Sequence, residues 1–255
     1  MMRRSDNSRV RVKYRVMRDA LVIDLGSTHR VLSSAPARGG LVKARSILNH
    51  QVAANPVVRQ PRPSDKPARR VNWSDPARYL EARASELEAK SPVVGLMTAV
   101  PMKRVVALRE ESNGIWVECF CTVGVTNAVK AGEPASYTGS GRRCGSAGTI
   151  NIILVTNAIL SVPAMVGAVQ VATESKTAVL LEQAVRNWTG RHVATGTGTD
   201  TVVVACRLRG GPRLHYSGTH TTIGSLIGRV VGQCVRAGLV RASKLKSRHA
   251  TPVRA

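Results

Sequence analysis

Aromatic residues are nearly missing from this chain. They make up 3% of its 255 residues, with a single phenylalanine. The hydrophobic share is still 43%, so any core must come from Val, Ala, Leu and Ile. None of the five cysteines forms a C-x-x-C pair, which excludes the common thiol-redox motif and the zinc-ribbon spacing. Cys119 and Cys121 are two apart and face the same way in a strand; with Cys144, Cys206 and Cys234 they are expected as small buried hydrophobes in a reducing cytosol. The basic start of the chain has no apolar h-region, so no secretory signal is expected and the expected location is cytoplasmic. The longest apolar region is cut by Asn151, Asn157 and Pro163, so no membrane-spanning helix is expected. No solenoid-type repeat is visible.

Acidic residues are scarce as well, 15 against 38 Lys and Arg, for a formal net charge of +23. The excess is concentrated. Residues 1–18, 59–70 and 236–255 hold 18 of the basic residues and two of the acidic ones. Such basic segments are usually solvated tails that touch anionic surfaces weakly. No helix-turn-helix, zinc finger or RNP-type aromatic motif is present, so specific nucleic-acid binding is not expected. At this length a folded chain buries about 70–75% of its unfolded surface, enough for one domain with a full core. The expected layout is a basic tail over 1–13, a single domain over 14–240 with a flexible Pro/Arg-rich loop at 55–72, and a second basic tail over 241–255.

The pattern along the chain mixes strands and helices. Tyr14–Leu25 reads as one or two short strands, Arg30–Ser34 as another, and Val42–Val52 as a short helix. Ser74-Asp-Pro-Ala opens a helix to about Lys90, with Tyr79, Leu80, Ala84 and Leu87 as its apolar stripe. Val93–Val100 reads as a buried strand. Val105–Leu108 and Ile115–Val125 flank Asn113-Gly114, a strong hairpin signal. Residues 132–147 read as a mobile loop. Ile150–Val155 and Thr201–Cys206 are β-branched runs suited to strands buried on both faces. Between them, Ser161 offers an N-cap and Pro163 a first-turn proline for a helix from Ala164 to Val185. That helix is apolar on nearly every side and is expected to be buried. A last helix is expected from Gly218–Gly224 to about Ala237. Hairpin signals beside variously placed helices favour an α/β (mixed α+β) layered sandwich, with a largely mixed or antiparallel sheet and flanking helices.

Few acids compete for a catalytic role. Glu174 falls inside the apolar helix among Gln170, Val171, Thr177, Ala178 and Leu181, where a carboxylate is either paired or functional. Asp200 closes the turn Thr195-Gly-Thr-Gly-Thr-Asp200. This turn is no Walker loop, since no Gly-Lys-Ser/Thr follows, and no dinucleotide fingerprint, since it precedes a strand. Its amides and hydroxyls could hold an amide oxygen or a water. His220 lies between Thr219 and Thr221 and between Gly218 and Gly224, which suggests close approach by a ligand. His29, His50, His192, His215 and His249 carry no metal-site spacing, and no metal is expected.

Several motifs occurring in order resemble one family. They are Arg30-Val-Leu-Ser-Ser-Ala-Pro, Ile47-Leu-Asn-His-Gln-Val52, Val94-Gly-Leu-Met-Thr-Ala-Val100, Gly124-Val-Thr-Asn-Ala128, Gly148-Thr-Ile-Asn-Ile-Ile, Ala172-Thr-Glu-Ser-Lys-Thr-Ala178, Ala194-Thr-Gly-Thr-Gly-Thr-Asp200 and Ser217-Gly-Thr-His-Thr221. Over roughly residues 15–240 the chain is similar to the adenosylcobinamide amidohydrolase family, CbiZ. It differs from the family pattern at Asn157, where Asp is expected, at Thr126, where Gly is expected, and at Ser225, where Glu often stands. The resemblance implies hydrolysis of the aminopropanol amide of adenosylcobinamide, giving adenosylcobyric acid for cobamide salvage. The corrinoid is then the substrate and no cofactor is implied. Glu174, Asp200 and His220 are the expected catalytic residues, meeting in one pocket. Asn151, Lys176, Thr197, Gly198, Thr199 and Thr219 are the expected substrate contacts. Two chemistries stay open: Glu174 or Asp200 as general base on water with His220 as acid or oxyanion donor, or Thr197 or Thr199 as nucleophile with an adjacent base. The first is favoured, because the sequence places no base beside a unique hydroxyl. A corrinoid-binding protein without catalysis and a basic nucleic-acid-associated protein are the alternatives. Self-association is left open.

Overall fold

Asn113 and Gly114 both hold positive φ, 51° and 73°, and close the two-residue turn that the Asn-Gly pair predicts. They join two strands of the largest sheet. The computed structural model describes residues 12–52, 75–134 and 148–249, the side chains only as far as 243. In chain order its elements are β1 (Lys13–Val16), β2 (Ala20–Ser33), β3 (Gly40–Gln51), α1 (Pro76–Glu86), β4 (Val93–Thr98), β5 (Val106–Ser112), β6 (Ile115–Val123), β7 (Ala128–Val129), β8 (Ile150–Thr156), β9 (Ile159–Leu160), α2 (Val162–Glu182), β10 (Gly196–Thr197), β11 (Thr201–Arg207), β12 (Arg213–Leu214) and α3 (Thr222–His249). The expected mixed α/β architecture is present. The loop expected over 55–72 and most of that over 132–147 lie outside the described residues, as do Cys144 and nearly all of the first basic tail.

The eight-stranded sheet runs β4-β3-β2-β11-β8-β6-β5, with β1 paired to the outer half of β2. The β8–β11 and β3–β4 pairs are parallel and the rest antiparallel. The sheet folds back on itself. Three strands separate β4 from β8, about 19 Å if the sheet were flat. Yet Asn151 on β8 donates to the Met97 carbonyl on β4 at 2.9 Å. The bend lies in β2, where the register breaks between Asp24 and His29 and Gly26 holds φ 74°. Four layers result. Leu21, Ile23, Ile47, Val94 and Leu96 of the first strands pack face to face on Phe120, Ile153, Val155, Val203 and Ala205. Outside them, α1 places Leu80 and Ala84 on Ala20, Val22 and Leu48. On the opposite side α2 and α3 cover Cys119, Cys121, Ile152, Leu154, Val202 and Val204.

Local signals explain the element ends. Asp75 caps α1 by accepting from the Arg78 amide at 2.9 Å, and Ser161 caps α2 by accepting from Ala164 at 3.2 Å. All seven residues of β8 are buried, as expected for a strand covered on both faces.

Four expectations are corrected. Residues 42–52 are not a helix but most of strand β3, whose ladders to β2 and β4 override the helix-forming Lys43-Ala44-Arg45. The short strands expected between Tyr14 and Ser34 are β1 and one long, bent β2. The helix α2 is largely apolar, yet its outer face is open, with Val162 42%, Val166 48% and Leu181 50% exposed. Finally, α3 does not stop near Ala237 but continues through the basic stretch to His249. Between Thr222 and Ser243 it is long and apolar enough to cross a membrane by length and composition alone. Most of its apolar residues, Leu226, Val230 and Cys234 among them, nevertheless belong to the core packed on the sheet, while Val240 is exposed.

Candidate active site

The strands β8 and β11 start side by side, with Asn151 opposite Thr201, at the end of the sheet where β6 finishes with Thr122 opposite Asn151. Two polar clusters meet there, one on each face of the sheet.

The first centres on Asp200. Its Oδ2 accepts from Lys176 Nζ at 2.5 Å and from the Thr197 amide at 3.0 Å. Its Oδ1 accepts from the Ile150 amide at 3.0 Å and from the Thr197 hydroxyl. A carboxylate offers about four lone-pair sites, and all are used. The Lys176 and Asp200 side chains are 8% and 13% exposed, so their pairing is shielded from water. Gly196 is what permits it: a Cβ there would stand 2.6 Å from Asp200 Oδ2 and 2.9 Å from Lys176 Nζ. The turn is held from outside too. Thr177 on α2 donates to the Thr195 carbonyl at 3.0 Å, and β10 pairs with β7.

The second cluster lies between the two sheet layers. Asn151 Nδ2 donates to Asn49 Oδ1 and to the Met97 carbonyl, both at 2.9 Å. Asn49 Nδ2 donates to Thr122 Oγ1 at 3.2 Å. Thr149 Oγ1 donates to the Thr199 carbonyl at 2.8 Å, which links this cluster to the Asp200 turn. Asn49 and Asn151 are fully buried. Their amides hydrogen-bond within the fold, and the structure places Asn151, expected as a substrate contact, as a clamp between layers. The sequence did not single out Asn49 because its segment reads as a helix, although it lies within a motif matching the family pattern.

The expected residues divide between two ends of the molecule. Asp200, Lys176 and Thr197 come together, and Gly198 and Thr199 are exposed beside them. Glu174 is exposed on the outer face of α2, about 200° round the helix from Lys176. His220 and Thr219 are exposed at the far end. There Ser217 Oγ donates to the Ala164 carbonyl at 2.6 Å. Twelve helical residues, about 18 Å, separate Ala164 from Lys176. The expected pocket of Glu174, Asp200 and His220 therefore does not form. The glycines around His220 have a structural cause. Thr221 caps α3, accepting from the Gly224 amide at 3.1 Å, and a Cβ on Gly224 would stand 2.0 Å from the Gly218 carbonyl oxygen. The close approach inferred from that motif is made by the chain's own backbone.

The three positions expected to depart from the family pattern separate in the same way. Asn157 accepts from the Trp116 amide at 2.9 Å and donates to the Gly114 carbonyl at 2.8 Å, at the hairpin end. An Asp carboxylate could not make the second bond. Ser225 accepts from Arg229 at 2.7 Å in the first turn of α3. Only Thr126 borders the Asp200 end: a Cβ on Gly148 would stand 2.6 Å from its hydroxyl oxygen. Among the described residues no three His, Cys, Asp or Glu side chains gather as a metal site would require.

Residues 3–247 match the family described as adenosylcobinamide amidohydrolase, CbiZ. An adenosylcobinamide amidohydrolase of Methanosarcina mazei is 31% identical over 216 residues, 81% of this chain and 88% of that protein. One of Halobacterium salinarum is 34% identical over 124 residues, 48% of this chain and 50% of that protein. The uncharacterized protein MJ1613 of Methanocaldococcus jannaschii is 33% identical over 171 residues, 62% of this chain and 66% of that protein.

Proposed function

Since the chain belongs to the adenosylcobinamide amidohydrolase family, we propose that it cleaves the amide joining aminopropanol to the corrin ring of adenosylcobinamide, releasing adenosylcobyric acid and aminopropanol for cobamide salvage and remodelling. The observation that carries the reading is the Thr197 hydroxyl bonded to an Asp200 carboxylate that Lys176 neutralises. Amide hydrolysis needs a nucleophile, a base beside it and a proton for the leaving amine.

Of the two chemistries left open by the sequence, this geometry favours the nucleophilic one. Every lone-pair site of Asp200 is filled, so a water would have to displace a donor to be activated there. The Thr197 hydroxyl, by contrast, already points its proton at Asp200 Oδ1. In the proposed reaction, Thr197 Oγ1 attacks the amide carbonyl carbon and its proton passes to Asp200. The exposed Gly198 amide supports the developing oxyanion. The C–N bond then breaks and aminopropanol leaves, taking that proton by way of Lys176. Water hydrolyses the resulting ester and restores Thr197.

Incubating the purified chain with adenosylcobinamide and following the products by mass spectrometry tests both levels. Expected products are the free acid and aminopropanol, with a transient mass increase on the peptide carrying Thr197. Corrinoid binding without either product would replace the hydrolase reading with that of a carrier. Turnover by Thr197→Val would return the chemistry to a water activated at Asp200.

A further inference from the structure

A cavity of about 550 Å³ lies beyond the C-terminal end of α1, and no residue of the Asp200 cluster lines it. Its walls carry Lys13 and Arg15 of β1, Asp24 of β2, Ser46 of β3, and Glu88 and Lys90 of the turn after α1. Ser46 is the most buried of these, 1% exposed. Strand alternation puts its side chain on the same face as Leu48 and His50, which pack against α1. The helix ends at Glu86, so Ser46 faces the cavity instead of a helix. Its hydroxyl oxygen is buried and makes no hydrogen bond within the protein, an expensive condition for a polar group.

Donors converge on the same space. Lys13 is exposed and stands opposite Asp24 in the β1–β2 ladder. Arg15 commits one nitrogen to the Leu87 carbonyl at 2.7 Å and keeps further N–H groups. Lys90 is held by Asp24 Oδ2 at 2.7 Å, and Asp24 Oδ1 accepts from the Gly26 amide at 2.8 Å. With both its oxygens engaged, Asp24 anchors Lys90 at the rim. Three cations face two carboxylates, above a hydroxyl able to donate.

We infer that this cavity is a second binding site, for a small oxyanion of the phosphate type, held by Ser46 Oγ, Lys13 and Arg15. A phosphate group offers at least three oxygens to a hydroxyl, an ammonium and a guanidinium at once. A carboxylate offers only two. The volume exceeds that of inorganic phosphate and leaves space for the rest of a small phosphomonoester. The site does not depend on the hydrolytic reading above.

Calorimetric titration of the full chain with inorganic phosphate and with glycerol 3-phosphate, at an ionic strength fixed by chloride, tests the inference. One saturable site is expected. Tighter binding of the ester identifies a phosphomonoester as the ligand; equal binding identifies free phosphate. Lys13→Ala and Ser46→Ala should each weaken binding about tenfold, the scale of a hydrogen bond to a charged group. Hydrolysis of adenosylcobinamide should be unchanged in Ser46→Ala. Should that variant fail to fold, the exposed Lys13 still decides. Absence of saturable binding with both probes would overturn the site, as would binding that Lys13→Ala leaves intact, which the overall charge of the chain would then explain.

Discussion

Lys176 and Asp200 meet at 2.5 Å across a glycine that has no room for a methyl group. The pair ties α2 to the turn that starts β11, and through the Ile150 amide it also fixes the start of β8. Replacing Gly196 by Ala drives a Cβ into both partners. It should destabilise the fold by about 1–3 kcal/mol, the usual cost of overpacking. Urea unfolding of the variant beside the parent chain measures this. An unchanged midpoint would mean that the turn can shift aside.

Breaking the pair from either side should be unequal. Asp200→Asn leaves the Lys176 ammonium shielded from water without its counter-charge, a loss of about 3–5 kcal/mol. Lys176→Met leaves Asp200 with its three remaining donors and should cost less. Adding Lys176→Met to Asp200→Asn should recover part of the stability. A double variant no better than Asp200→Asn alone would show that the lost acceptor, and not the stranded charge, dominates.

Thr197→Val keeps the shape of the side chain and removes its hydroxyl. It should lower turnover of adenosylcobinamide at least a hundredfold while leaving corrinoid binding intact, on the scale usual for groups that act in proton transfer and attack. Thr197→Ser, which keeps the hydroxyl, should retain measurable turnover. Equal loss in both variants would assign Thr197 to folding alone.

Glu174→Gln and His220→Ala should each leave turnover within about twofold and stability within about 0.5 kcal/mol, as for exposed groups outside packed networks. Steady-state assay of both variants checks this. A loss above tenfold in either would place substrate across a wider surface than the Asp200 end.

Acid should weaken the fold through His50 and His29. Burial pushes both imidazoles below their ordinary value, and for His50 the Arg83 charge adds to the effect. The unfolded chain therefore takes up protons before the folded one does. The stability held above about pH 6.5 is lost as pH falls through that value and on towards the lower folded-state values. The urea midpoint should drop between pH 7.5 and 5.5, and His50→Gln should flatten the slope. A midpoint rising on acidification would reverse the assignment.

How much could be read from the residues alone depends on how local each cause is. The Asn113-Gly114 turn, the Ser161 cap and the fully buried β8 follow from neighbours in sequence, and all three stand as expected. Strand β3 was illegible because Lys43, Ala44 and Arg45 suit a helix, and only the ladders on both sides make them a strand. The Asp200 end was half legible. Asp200, Lys176 and Thr197 stood out as polar residues in glycine- and threonine-rich motifs. That Lys176 and not Glu174 faces Asp200 depends on the rotation of α2, which an almost uniformly apolar helix does not reveal. The His220 motif misled for a related reason. Crowded glycines report close approach, and here the approaching group is the backbone itself.

The back-folded sheet also sets the order in which this protein can be completed. Asn49 and Asn151 lie 102 positions apart, and their hydrogen bond closes one layer on the other. During synthesis, β1 to β4 and α1 emerge well before β8 and β11 exist. Until then Leu21, Ile23, Ile47 and Leu96 lack most of the facing layer, which Ile153, Val155, Val203 and Ala205 supply. Contacts of such long range make folding slow, and a chain interrupted before Asn151 would carry a bare apolar sheet face, the kind of surface that chaperones hold and that aggregates when they do not.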